Sequence, residues 1–337
     1  MSLLVTTHER FLDHDTGRGH PERAERIGAV MAGLAPLGDA ITYCADPAPA
    51  SVDQVALMHP RAHIEDLRQK VESGVGHLDA DTVVSAHSFD AAMLGAGAGL
   101  ETIARLDAGE ADAGFCVVRP PGHHALSARA MGFCLFNNIA IAAATLAERG
   151  ERVAIIDFDA HHGNGTQALF YDDPRVLFVS MHQFPFYPGS GDLSEMGTGE
   201  GWGSTINIPF SANTTGDAYR ASLDQIVLAS LERFAPTWLL YSAGFDAHRN
   251  DPLTQMGLAA SDYADMVADL SPVVPAGRRL AFLEGGYDLA ALTASTEAFA
   301  SALIGERHRP EPPTSGGPGM EVVAAVREWR DSVEPPR

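Results

Sequence analysis

The sequence predicts an α/β fold, a single open and mostly parallel β-sheet flanked by helices. Three observations carry this. Short runs of β-type apolar residues recur along the chain, continuous rather than alternating, as in strands buried on both faces of a parallel sheet. Stretches with helical periodicity separate them, the alternation expected of strands joined by crossover helices. Hydrophobic residues make up 45% of the 337 residues, enough for one large core.

Taken in order, the elements begin with a helix over Ser88–Leu106, followed by an apolar strand over Gly114–Arg119. A helical pattern over Asn137–Ala147 leads to the strand Val153–Asp159, and a further strand covers Val176–His182. Gln183–Gly203 reads as a long loop, with five glycines between Gly189 and Gly201; a loop of that length in a compact domain is often functional. The strand Ser204–Phe210, the helix Ala218–Phe234 and the strand Thr237–Phe245 come next. Then follow the helix Ser261–Leu270, the strand Arg279–Glu284 and the helix Leu289–Leu303. Arg309–Gly319 is rich in Pro and Gly and reads as a loop, and Met320–Asp331 as a last amphipathic helix. The expected organisation is a catalytic domain over residues 1–308, with residues 309–337 packing on the same domain.

Charge and cysteine usage narrow the function. With 44 acidic against 23 basic residues the formal net charge is -21. Such a surface repels nucleic acid and anionic membranes and favours cationic small molecules or basic peptides. Cys44, Cys116 and Cys134 show no paired spacing, which points to a reducing compartment without a disulfide framework. The first residues, MSLLVTTHERFLDHD, lack a basic segment followed by an apolar core, and no apolar run approaches the roughly 20 residues of a membrane helix. A cytoplasmic location is expected.

The chemistry concentrates after the strands, where an open parallel sheet binds its ligands. In VAIIDFDAHHGNG, Val153–Gly165, the polar residues Asp157, Asp159 and His161 occupy alternate positions and would project to one face of a strand end. Two carboxylates and an imidazole so close together are costly unless a cation neutralises them, although a hydrogen-bonded turn after a core strand is the plainer alternative. Asp246, after the strand Thr237–Phe245, would complete a three-ligand site with Asp159 and His161. Three protein ligands with an open position describe a catalytic zinc site, while the oxygen-rich set also suits Mn²⁺ or Fe²⁺. His123 and His124 follow the strand Gly114–Arg119, braced by Pro120, Pro121 and Gly122. Beside a metal they suit a general base and an electrostatic partner, with Asp157 and Asn164 as candidates to hold their second ring nitrogens. Asp157 would hold an imidazolium; neutral Asn164 would leave its histidine nearer the ordinary pKa of roughly 6.5. Tyr287, after two glycines, could donate a hydrogen bond to a developing oxyanion.

These residues lie in segments that resemble the metal-dependent histone deacetylase family, which includes class II-like bacterial enzymes and acetylpolyamine amidohydrolases and shares the arginase-like fold. The segments are HPERAERI (His20–Ile27), RPPGHHA (Arg119–Ala125), GFCLFNNIA (Gly132–Ala140), DFDAHHGNGTQALFY (Asp157–Tyr171), FYPGSGD (Phe186–Asp192), SAGFDAHRNDPL (Ser242–Leu253) and LEGGYDL (Leu283–Leu289). The form HGNG, with Asn164, is similar to the class II branch. The resemblance implies hydrolysis of an acetylated ε-amine, in a lysine peptide, a protein or a small amine, to free amine and acetate. It implies Zn²⁺ on Asp159, His161 and Asp246, with Fe²⁺ as an alternative. It further implies the pair His123 and His124 with partners Asp157 and Asn164, and a carbonyl-polarising Tyr287. The acyl channel maps to Gly132, Phe133 and Tyr187; the family has phenylalanine at the last position, so Tyr187 departs in a way that would narrow or polarise the channel. One or two structural K⁺ ions are implied, the first on Asp157, Asp159, His161, Ser180 and Met181, and Asp81 is the candidate rim acid. A homo-oligomer is compatible with the sequence.

Three other readings compete. A binuclear Mn²⁺ ureohydrolase needs further carboxylates where this chain has Gly163 and His248. A polyamine deacetylase would gain from the acidic surface, but its relatives carry an acid where Leu253 stands here, seven residues after Asp246. A non-catalytic acetyl-lysine binder would have lost a metal ligand, the histidine pair or Tyr287, and this chain keeps them all.

Overall fold

A computed structural model describes residues 1–333. Eight strands form one sheet: β1 (Leu3–Thr6), β2 (Ile41–Cys44), β3 (Ala113–Cys116), β4 (Val153–Asp157), β5 (Val176–Gln183), β6 (Thr205–Phe210), β7 (Trp238–Ala243) and β8 (Arg279–Leu283). Their order is β2-β1-β3-β8-β7-β4-β5-β6, and every neighbouring pair is parallel. The helices are α1 (Glu25–Leu34), α2 (Val52–Val55), α3 (Arg61–Glu72), α4 (Ser88–Asp107), α5 (Asn138–Glu148), α6 (Asn164–Leu169), α7 (Gly216–Ser222), α8 (Leu228–Phe234), α9 (Ala260–Leu270), α10 (Leu289–Leu303) and α11 (Met320–Val333).

Both faces of the sheet are covered. Gly114 in β3 lies against Thr102 and Leu106 of α4, while its neighbour Phe115 meets Phe299 of α10 edge-on at 5.6 Å. Successive strand residues point to opposite faces, so α4 and α10 lie on opposite sides. Burial on both sides is why every residue of β3, β4, β5, β7 and β8 is buried and why these runs read as continuous apolar segments. A second apolar cluster joins α3, α4 and α5 beside the main core.

The structure adds two strands and several helices to those expected. The run LLVT of β1 is too short for any periodicity, and β2, at the sheet edge, has two exposed central residues. The expected helix Ala218–Phe234 is three pieces, α7, a π turn over Leu223–Val227, and α8. One inserted residue is invisible to a 3.6-residue pattern; here the Ser222 hydroxyl donates to the Tyr219 carbonyl at 2.7 Å just before the turn. The Pro/Gly-rich segment does run as a loop into α11, which packs on β6 and α7. Of the segment expected over residues 309–337, residues 334–337 lie outside the described residues. All three cysteines are free and buried. Among the described residues no helix is long and apolar enough to cross a membrane.

Candidate metal centre and active site

β3, β8, β7, β4 and β5 are consecutive in the sheet, so their carboxyl ends form one rim. The strands end at Cys116, Leu283, Ala243, Asp157 and Gln183, and the polar segments singled out in the sequence begin just beyond four of them. Segments 162 residues apart meet here: the Glu284 carboxylate accepts from the backbone N–H of Gly122 at 2.7 Å and of His123 at 3.1 Å, fixing the histidine loop to the end of β8.

Asp159, His161 and Asp246 each offer one ligand atom, and these atoms lie within 4.8 Å of one another. His161 Nδ1 is 2.8 Å from Asp246 Oδ2 and 3.2 Å from Asp159 Oδ1. The remaining carboxylate oxygens accept backbone N–H groups, Asp246 Oδ1 from Ala160 at 2.7 Å and Asp159 Oδ2 from Gly285 at 2.8 Å. That last contact requires glycine, because a Cβ at position 285 would overlap Asp246 Oδ2. Both aspartates are fully buried. Burial and the neighbouring Asp159 charge push the Asp246 carboxyl upward, and the two carboxylates in turn raise His161, so the cluster favours a positive charge between its carboxylates. A divalent cation supplies that charge, and the donor set of two carboxylates and one imidazole fits such an ion.

The histidine pair lies next to this cluster, with ring centroids 4.0 Å apart. His123 Nδ1 is 3.0 Å from Asp157 Oδ2, and its Nε2 is 3.9 Å from Asp159 Oδ2. Burial disfavours its charge, but Asp159, Asp157 and Glu284 outweigh burial and raise His123 to about 10. His124 Nδ1 is 2.8 Å from Asn164 Oδ1. An amide oxygen only accepts, so Nδ1 carries the proton and Nε2 keeps a free lone pair. The expectation that Asn164 would leave His124 near its ordinary pKa does not hold. Burial, with His123 and His161 beside it, holds His124 well below 6.5.

A cavity of about 290 Å³ reaches these groups. His124, His161, Gly132 and Tyr287 are its buried lining; Phe133, Phe186, Leu253, Pro21 and Asp81 are half-buried, and Tyr187 is exposed. Exposure thus increases from the histidines toward solvent. Phe133 is in the left-handed region at φ 68° and meets the Tyr287 ring at 5.9 Å; the Tyr187 ring stands edge-on to His124 at 5.3 Å. Burial and the nearby Asp79 push the Asp81 carboxyl upward. All the positions expected to contact substrate, Gly132, Phe133, Tyr187, Leu253 and Asp81, therefore line one cavity. Of the positions assigned to potassium, Asp157 and Ser180 are register partners on β4 and β5, and Met181 follows on β5.

Several residues around the site carried no role in the sequence reading. Phe186 stacks on His161 at 5.4 Å, and Pro21 lines the cavity. Arg26 donates to the carbonyl of Gly286 at 2.7 Å and lies 5.0 Å from the Tyr287 ring centre. Asp251 accepts from the Tyr287 N–H at 2.7 Å. Glu284 anchors the histidine loop. All except Pro21 and Phe186 are charged residues buried or nearly so within the recognised motifs, and such a charge is retained only with a partner. That was the available signal.

Comparison with known proteins is consistent along the chain. Residues 20–303 match a family model described as histone deacetylase domain. A "Probable deacetylase" of Archaeoglobus fulgidus is 39% identical over 292 residues, covering 85% of this chain and 81% of that protein. A second "Probable deacetylase", of Methanothermobacter thermautotrophicus, is 38% identical and covers 93% of this chain and 95% of its own. The solved structure titled "Crystal Structure of HDA15 HD domain" superposes with a TM-score of 0.90 at 33% identity, over 99% of this chain and 95% of that one.

Proposed function

Because the chain belongs to the histone deacetylase family and is a hydrolytic deacetylase, we propose that it cleaves acetylated ε-amines, with acyl-lysine side chains as the substrate class, to acetate and free amine. The observation that carries this reading is the aromatic-walled cavity ending on His124, His161 and Tyr287. Phe133, Phe186 and Tyr187 suit the apolar stem of an acyl-lysine, and Leu253 adds an aliphatic wall with no charge for a distant ammonium. This favours acyl-lysine over acetylpolyamines.

The family is metal-dependent, and Asp159, His161 and Asp246 are the residues proposed to hold the ion, Zn²⁺ or alternatively Fe²⁺. Such an ion, when bound, supplies Lewis acidity to the acetyl carbonyl and acidifies a water. His124 then accepts the proton of the attacking water on Nε2 and delivers it to the nitrogen of the breaking amide. His123, held by Asp157, keeps its proton and stabilises negative charge through its field. Tyr287 donates its hydroxyl hydrogen to the carbonyl oxygen as it becomes an oxyanion. A binuclear Mn²⁺ centre is disfavoured by local geometry. A Cβ at position 163 would collide with Asp157 Oδ2, and His248 is already bonded to Glu311 Oε1 at 3.0 Å. K⁺ on Asp157, Asp159, His161, Ser180 and Met181, a cytoplasmic location and a catalytic domain that includes the C-terminal segment belong to the same proposal.

The test is one metal-quantified sample assayed on acetyl-lysine peptides and on acetylspermidine. The peptide should be the better substrate, and Leu253→Glu should shift selectivity toward the polyamine. A wild type preferring acetylspermidine by about tenfold or more would refute the acyl-lysine reading, since one pocket contact is commonly worth that much in discrimination.

A further inference from the structure

The loop 244–259, between β7 and α9, carries Asp246, Asp251 and Leu253. We infer that Glu311, in the Pro/Gly-rich strap between α10 and α11, is a positioning residue that sets this loop and, through it, Leu253 in the acyl pocket. The inference rests on the reading of Leu253 given above. The strap lies beyond residue 303, where the family-domain match ends.

Glu311 ties three pieces together. His248 is buried at the neck of the loop, where the two arms join: Arg249 N–H donates to Leu258 O at 2.8 Å and Leu258 N–H to Ala247 O at 3.1 Å. His248 Nδ1 accepts from the Asn250 N–H at 3.2 Å, so the ring proton is on Nε2, which donates to Glu311 Oε1 at 3.0 Å. The same oxygen accepts from the Ala260 N–H at 2.9 Å, in the first turn of α9. Glu311 Oε2 takes Arg249, and the Glu311 carbonyl takes the Ser261 hydroxyl. One carboxylate therefore clamps the neck of the loop to the start of the next helix.

The clamp is itself anchored. Pro312 and Pro313 restrict the backbone just after Glu311. Further on, the Thr314 hydroxyl donates to Asp262 at 2.8 Å, the Gly316 N–H to Asp217 at 2.9 Å and the Gly317 N–H to Thr215 at 2.9 Å. From the neck the constraint passes inward. Asp251 N–H donates to the His248 carbonyl at 2.8 Å. The Asp251 carboxylate then accepts from Leu253 N–H at 3.0 Å and from Tyr287 N–H at 2.7 Å. Glu311 lines no part of the cavity; it acts through His248 and Asp251 on the residues that do.

The experiment compares wild type, Glu311→Ala, Glu311→Gln and Arg249→Ala on an acetyl-lysine coumarin peptide and on acetylspermidine, with metal content and melting temperature measured. Glu311→Ala should retain its metal, raise KM for the peptide more than it lowers kcat, and narrow peptide-over-polyamine selectivity by about threefold or more, as a loosened pocket wall does. Glu311→Gln keeps an acceptor for His248 and Ala260 and should restore most of the selectivity. Arg249→Ala removes only the half-exposed ion pair and should behave as wild type. Unchanged selectivity in Glu311→Ala, no rescue by Gln, or an Arg249→Ala enzyme as impaired as Glu311→Ala each overturns the assignment. If Glu311→Ala does not fold, the variant Pro312→Gly/Pro313→Gly loosens the strap and keeps the carboxylate; it should narrow selectivity in the same sense, and an unchanged ratio overturns the assignment. A wild type that prefers acetylspermidine refutes the substrate reading and leaves the ratio between variants readable.

Discussion

Replacing Tyr287 by Phe isolates one hydroxyl. Tyr287 is 9% exposed, and its ring is held by Phe133 at 5.9 Å and by the Arg26 guanidinium at 5.0 Å. Its backbone is fixed by Asp251 and by the Arg26 bond to Gly286. None of these contacts uses the phenol oxygen, so the variant should keep its fold, its metal and its cavity. Burial, against the opposing Arg26 but with Asp246 and Asp159 in support, keeps the phenol pKa well above its ordinary value. The hydroxyl is therefore a donor at any working pH. Losing one such donor to a developing oxyanion typically costs about 10²–10³ in turnover, or roughly 3–4 kcal/mol. The assay is kcat at saturating acetyl-lysine peptide, on samples of matched metal content and melting temperature. KM should change little, because the donor matters most when the oxygen is charged. A Phe variant with kcat within about threefold of wild type would refute the oxyanion role, since that is far below the loss of one such donor.

Asp246→Ala and His161→Ala should each abolish both stoichiometric metal and activity, measured by elemental analysis and peptide turnover; two tightly bound Mn²⁺ ions in the wild type would point to a ureohydrolase instead. His124→Ala should lose at least as much kcat as His123→Ala, because a lost base removes a proton route whereas a lost charge weakens a field, and the opposite order would exchange the two roles. Glu22 is fully buried between Arg119 and Arg26; burial raises its carboxyl pKa, but the two guanidiniums outweigh burial and bring it to about 2 from 4.5. A depressed folded-state pKa gives stability that is complete above 4.5 and lost as the pH falls toward 2, roughly 3 kcal/mol in all. Glu22→Gln should flatten that acid limb in urea unfolding and cost about 3–5 kcal/mol at neutral pH by leaving two buried guanidiniums underneutralised; a limb parallel to wild type would be the contrary result.

The parts of the fold legible in the sequence were those with an unambiguous pattern. β3 to β8 are mostly apolar because the sheet is buried on both faces, and the sequence pattern places them to within a few residues at their ends. The strand ends themselves ran long. Val117–Arg119, Phe158–Asp159 and Gly244–Phe245 are buried yet already outside the ladder, and burial alone does not mark where pairing stops. β1 is hidden because its apolar run LLV ends at Thr6, whereas the run of β3, equally short as a strand, continues through Val117 and Val118; β2 is hidden by its edge position, where two of four residues face solvent. The break in Ala218–Phe234 was hidden because a π turn leaves the apolar face nearly intact.

The site shows the same division at a finer scale. The residues proposed to do the chemistry sit directly after a strand, so the rule that ligands bind at carboxyl ends gathers His123, Asp159, Asp246 and Tyr287 from the sequence alone. Residues that hold them in place follow no such rule. Arg26 reaches Gly286 across 260 positions because α1 packs on α10, and Glu284 reaches Gly122 across 162 because the sheet order sets β3 beside β8. Glu311 is further removed, since it touches the loop of Asp246 from a segment whose composition reads only as loop. A strand-end residue is positioned by its own strand, within a few bonds, whereas a supporting residue is positioned by the topology of the whole sheet. Local pattern therefore recovers the reacting groups first and their supports last. Buried charges with no assigned task, such as Glu22, Arg119 and Glu284, are where the supports should be sought, because burial of an unpaired charge is too costly to persist.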